Sequence, residues 1–154
     1  MAATQLSFDS CRGWTLLALA PVISIIDDDA SVREAVQRFL RALGYVAHAF
    51  ASADEFLRSP QVADNSCLIM DVKMPGMSGI ELQRQLQIQG CQVPIIFITS
   101  FEEESIRTQA LSAGAVCFLT KPFEIRALLK HLGEALKWRP IAPATAFRTA
   151  EQRR

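Results

Sequence analysis

Six side chains able to do chemistry stand at the ends of four short apolar runs. Asp27, Asp28 and Asp29 follow VISII, Asp71 follows CLIM, Thr99 follows PIIFI, and Lys121 comes shortly after AVCFL. Adjacent carboxylates repel one another, so an acidic triplet at the end of a buried segment calls for an opposing charge. Mg2+ would supply it, because this ion favours hard oxygen ligands, keeps several waters and binds through only a few protein oxygens. A carboxylate beside such a metal can attack phosphorus and become an aspartyl phosphate, provided that metal and a cation neutralise the transferred group. Lys121 offers the cation and Thr99 a donor to a phosphoryl oxygen. The chemistry these residue types fit is Mg-dependent phosphoryl transfer to a carboxylate.

For that chemistry the four run ends must converge, and the elements between them say how. VISII, YVAHAF, CLIM, PIIFI and AVCFL are short and apolar, several of them rich in β-branched residues, and read as strands. Helical spacing follows each one. Val32, Val36, Phe39, Leu40 and Leu43 recur at three and four before the stop at Gly44, and SADEFL opens a short helix with Ser52 and Glu55 as a capping box. A helix is expected from about Ser78 to Gln89, and another carries Ile106, Ala110 and Leu111 up to Gly114. The last one places Ile125, Leu128, Leu129, Leu132 and Leu136 on one face. Five successive βα units predict a single α/β domain, a parallel sheet covered by helices on both sides. In such sheets ligands gather at the carboxyl ends of the strands, which is where all six side chains fall.

With these residues in these places the sequence resembles the receiver domains of two-component response regulators, over about Val22 to Trp138. The motifs that carry the likeness are the acidic pair in IIDDD, the block DVKMPGMSG around Asp71, ITS with Thr99, and FLTKPF with Lys121 and Pro122. The resemblance implies a flavodoxin-like doubly wound (βα)5 sandwich whose five-stranded parallel sheet has the order 2-1-3-4-5. It implies Asp71 as phosphoacceptor, and Asp27 and Asp28 with Asp71 and the backbone carbonyl of Lys73 as the Mg2+ ligands. Thr99 is the implied switch hydroxyl, Phe118 the switch aromatic, Lys121 the catalytic cation, and Lys121–Pro122 a cis peptide. A sensor histidine kinase is the implied phosphoryl source, a phosphorylation-dependent homodimer a usual output, and transcriptional regulation the usual setting. In this family the residues two after the phosphoacceptor and two after the switch hydroxyl govern the access of water; here they are Lys73 and Phe101, which implies a long-lived phosphorylated state.

Simpler roles compete for some of these residues. Asp29 can serve as a helix cap, Phe118 as a core aromatic, and the acids of FEEES as first-turn partners of the fourth helix. An aspartyl-phosphate ester hydrolase would want a second aspartate two residues after the nucleophile, where Lys73 stands instead. A degenerate or stand-alone receiver acting as a protein-protein interaction module is the alternative reading.

The 154 residues carry 16 basic and 16 acidic side chains, so no general attraction to nucleic acid or membrane is expected. Cys11, Cys67, Cys91 and Cys117 are scattered without metal-site spacing and are expected to be reduced, which fits a cytoplasmic protein. The apolar stretch around Trp14 to Ile26 is interrupted by Pro21 and too short for a membrane helix. Residues 1–20 read as an extension, 21–138 as the receiver and 139–154 as a tail too short for a helix-turn-helix domain.

Overall fold

The structure is a computed structural model and describes residues 20–137. Five strands, β1 (Val22–Ile26), β2 (Val46–Phe50), β3 (Cys67–Asp71), β4 (Ile95–Thr99) and β5 (Cys117–Thr120), alternate with helices α1 (Ala30–Ala42), α2 (Ala53–Arg58), α3 (Gly79–Ile88), α4 (Glu104–Ser112) and α5 (Ile125–Lys137). All neighbouring strands pair in parallel, in the order β2-β1-β3-β4-β5, as the resemblance implied. A 3-10 turn, Pro60–Asp64, follows α2 and was not anticipated from the pattern.

Strand periodicity divides the core in two. Ile23, Ile25, Cys67, Ile69, Ile96 and Ile98 point to one side and meet Val36 and Leu40 of α1 and Leu128 and Leu132 of α5. Leu68, Met70, Ile95 and Phe97 point to the other side, against Phe56, Leu82, Leu86 and Ala110 of α2, α3 and α4. With both faces covered, the central strands are apolar throughout rather than alternating. The one polar interruption, Ser24, is fully buried and donates its hydroxyl to Asn65.

Helix ends follow the sequence cues with informative exceptions. Asp29 caps α1, accepting from the backbone of Ser31 at 2.9 Å, and Ser52 and Ser78 accept from Glu55 and Glu81, each at 3.1 Å. Gly44, at φ 94°, turns the chain after α1. Leu43 and Leu111, which belong to the apolar helical spacing, are substantially exposed. Leu43 is the C-cap of α1, where the chain is already leaving the core, and α4 buries only Ala110. The acids of FEEES give no side-chain cap to α4: Glu103 sits at the cap position and turns its carboxylate elsewhere.

Cys67, Cys91 and Cys117 are free thiols, and burial pushes the Cys67 thiol up to about 12. Among the described residues no helix is long and apolar enough to cross a membrane. Residues 1–19 of the expected extension, the tail at 139–154, and Cys11 lie outside the described residues.

Candidate functional site

The register of the sheet builds the site. β1 and β3 are neighbours, with Ile26 opposite Met70, so Asp27 and Asp71 leave the sheet side by side. Thr99 ends β4 opposite Thr120, one residue before Lys121. Carboxylate oxygens of Asp27, Asp28 and Asp71 come within 4.8 Å of one another. Asp27 is fully buried and Asp71 is 6% exposed, whereas Asp28 lies open to solvent.

Lys121 reaches into this cluster from beyond β5. Its ammonium stands 2.8 Å from Asp27 Oδ2 and 3.2 Å from Asp71 Oδ2, and its side chain is only 13% exposed. The backbone that aims it is tied down, since the Lys121 N–H donates to the Thr99 carbonyl at 2.7 Å and the Lys121–Pro122 peptide is cis. Thr99 is fully buried and its Oγ1 accepts from the Phe101 N–H at 3.2 Å. Lys73, two residues past Asp71, gives its N–H to Asp71 Oδ1 at 3.4 Å.

These surroundings displace the ordinary titrations. Burial, reinforced by the neighbouring charge of Asp27, raises Asp71 to about 6, against the opposing pull of Lys121. Burial alone would lower Lys121, but its hydrogen bond to Asp27 and the charges of Asp71 and Asp27 outweigh it and hold the ammonium above its usual range. The lysine therefore stays charged at neutral pH, compensating part of a triple negative charge.

The donor set fits Mg2+. Three carboxylate oxygens lie close enough to share one ion, all are hard ligands, and among the described residues Lys121 alone is ion-paired with them. Of the residues singled out in the sequence, Asp27, Asp28, Asp71 and Lys121 come together at this edge, and Lys73 adjoins it through its N–H. Phe118 is buried at 8% exposure beside Phe97, with ring centroids 6.2 Å apart. A groove of about 690 Å³ runs alongside, between α1 and the residues after β5; its walls include Val32, Phe39 and Phe123, and it meets the cluster only at Lys121.

Three supporting roles were not read from the sequence. Gly79 opens α3 so close to Asp71 that a Cβ there would sit 2.2 Å from the Asp71 carbonyl oxygen. The cue was available, a glycine directly after the Ser78 cap where most residues would favour the helix more. Arg33 donates from Nη1 to the Asp27 carbonyl at 2.7 Å, an interaction with no local sequence signal. Glu103 pairs with Lys73 at 3.3 Å across two loops.

Residues 23–133 match the family described as response regulator receiver domain. Response regulator protein TodT of Pseudomonas putida is 43% identical over 132 residues, a match covering 86% of this chain and 58% of TodT. Transcriptional regulatory protein FixJ of Azorhizobium caulinodans is 35% identical over 114 residues, covering 74% of this chain and 54% of FixJ. The chain thus spans between half and two thirds of the length of these two relatives. A crystal structure of FixJ-N superimposes with a TM-score of 0.70 at 32% identity, covering 78% of this chain and 96% of that one.

Proposed function

Since this chain belongs to the response regulator receiver domain family, we propose that Asp71 takes a phosphoryl group from a phosphohistidine of a sensor histidine kinase and thereby switches an effector or partner in transcriptional regulation. The observation that carries this reading is the position of the Lys121 ammonium, 2.8 Å from Asp27 and 3.2 Å from Asp71. A lone acidic cluster could be a helix cap. A buried cation aimed between two strand-end carboxylates has no such structural purpose.

In the proposed step an oxygen of Asp71 attacks phosphorus, the new P–O bond forms as the P–N bond to imidazole breaks, and the imidazole leaves with the electron pair and takes a proton. Asp27, Asp28, Asp71 and the Lys73 carbonyl would hold Mg2+, which when bound would supply positive charge for the phosphoryl oxygens. Lys121 exchanges its bond to the Asp71 carboxylate for one to a phosphoryl oxygen. The Thr99 hydroxyl accepts from Phe101 through a lone pair, so its own proton stays free to donate to the phosphoryl group. That new bond draws Thr99 inward and leaves room for Phe118 to rotate, a shift between two populations.

In our reading the kinase docks on the apolar groove between α1 and the residues after β5, which meets the acidic cluster at Lys121. A homodimer formed through the α4 or α5 region is the output we favour. The chain catalyses only its own phosphorylation and dephosphorylation, and residues 21–138 form the unit that does so. It acts in the cytoplasm and does not itself bind nucleic acid.

Incubation with Mg2+ and acetyl phosphate, followed by intact mass, tests the reading. One phosphoryl group should be gained, and none by Asp71→Asn or in the presence of a chelator. A wild type that gains none, or an adduct that survives Asp71→Asn, overturns it.

A further inference from the structure

The loop after β3 and the loop after β4 are joined by side chains that the phosphoryl-transfer site does not need. The Lys73 ammonium is 3.3 Å from Glu103 Oε1 and 4.0 Å from the centroid of the Phe101 ring. None of the ion pairs among the described residues joins Lys73 to Asp27, Asp28 or Asp71. A second cation, two residues from the reacting carboxylate, is thus held by a glutamate and an aromatic ring of the opposite loop.

The holding is weak by construction. Lys73 and Glu103 have side chains 45% and 51% exposed, and Phe101 is half-exposed; solvent-exposed ion pairs and cation–π contacts are easily exchanged. A phosphoryl group on Asp71 carries about two negative charges and three strong acceptor oxygens. It would outcompete a single exposed carboxylate for the same ammonium.

Glu103 is also placed where its release matters. It is the residue before α4 and makes no capping bond, and α4 buries only Ala110. Phe101, the other partner, gives its N–H to the Thr99 hydroxyl. The loop that leads into the least anchored of the longer helices is therefore tied to the Asp71 side through Lys73, and to the end of its own strand through Thr99.

From this geometry we infer that Glu103 is a positioning residue which, with Phe101, holds the Lys73 ammonium away from Asp71 until a phosphoryl group arrives, so that transfer of Lys73 to that group releases the start of α4. The inference rests on phosphoryl transfer to Asp71, and it names the residue that withholds a cation from that reaction.

Two measurements test it on the full chain. The first needs no phosphodonor: the ε-methylene protons of Lys73 should show a ring-current shift from Phe101 that is lost in Glu103→Gln. The second is the rate of phosphorylation by acetyl phosphate with Mg2+. Glu103→Gln should raise this rate about threefold, the weight of one exposed ion pair, and the increase should vanish when Lys73→Met is also present. A Lys73 shift that is absent from the wild type or unchanged by Glu103→Gln overturns the inference, whatever becomes of Asp71. So does a rate increase that persists in the Lys73→Met background, because Glu103 would then act on the donor by its charge alone. A wild type that takes no phosphoryl group defeats the assignment of Asp71 instead, and the ring-current result stands separately.

Discussion

Lys121 lies closer to Asp27 than to Asp71, at 2.8 Å against 3.2 Å, although Asp71 is the carboxylate we propose to react. The fully buried Asp27 holds the cation in place, and Asp71 shares it. A lysine anchored in this way can loosen its bond to Asp71 without leaving the site.

Replacing Lys121 by Met should therefore act twice. Phosphorylation by acetyl phosphate should slow by about 10²-fold, the usual cost of removing one preorganised charge donor. Two buried carboxylates would also be left without their counter-ion, which costs about 3 kcal/mol in the metal-free protein. Thermal melts with and without Mg2+ check the second effect, and the metal should recover part of the loss.

The raised titration of Asp71 predicts a pH-dependent difference between wild type and Asp71→Asn. In the unfolded chain the group titrates near 3.8, and in the fold at about 6. Because the folded value is the higher, folding favours the neutral acid; that contribution is complete below the unfolded value and is lost as pH rises through the folded one. Without Mg2+, Asp71→Asn should therefore be the more stable protein above about pH 7 and lose that advantage below about pH 5. Melting temperatures at the two pH values decide it, and a gap that does not change with pH would refute the assignment.

Gly79→Ala should damage the site through the backbone. The added Cβ meets the Asp71 carbonyl oxygen at 2.2 Å, and neither the strand end nor the start of α3 can yield easily. The expected destabilisation is about 3 kcal/mol. Urea unfolding measures it, and phosphorylation of the surviving folded fraction should be slowed as well, because Asp71 itself must shift.

Arg33→Met should weaken Mg2+ binding by about tenfold, the scale on which partners of metal ligands act. Its guanidinium holds the Asp27 carbonyl at 2.7 Å, and the turn it braces presents Asp27 inward and Asp28 outward. Calorimetric Mg2+ titration provides the check. An unchanged affinity would reduce Arg33 to a surface residue.

Much of the fold was written locally. VISII and CLIM are apolar runs, broken only by the buried Ser24, because the strands they form are covered on both faces, and each leads into an aspartate at the carboxyl edge of the sheet. Asp29 was legible as a cap because its role depends on residues two and three positions away. What escaped were relations between distant residues. Leu43 and Leu111 follow the helical spacing yet face solvent, since periodicity marks a stripe and not where its packing stops. The Lys73–Glu103 pair joins residues 30 apart, and in the sequence Glu103 looked like one more acid at the start of a helix.

The separation of Lys121 from Asp27, 94 residues along the chain, also bears on how the protein is made. Asp27, Asp28 and Asp71 emerge from the ribosome well before their cation does. Pairing between distant segments is slow compared with local structure, so a growing chain holds unpaired acids until β5 has joined the far edge of the sheet. On the proposed reading, reactivity at Asp71 would then serve as a certificate of completed folding, since its cation joins the site last.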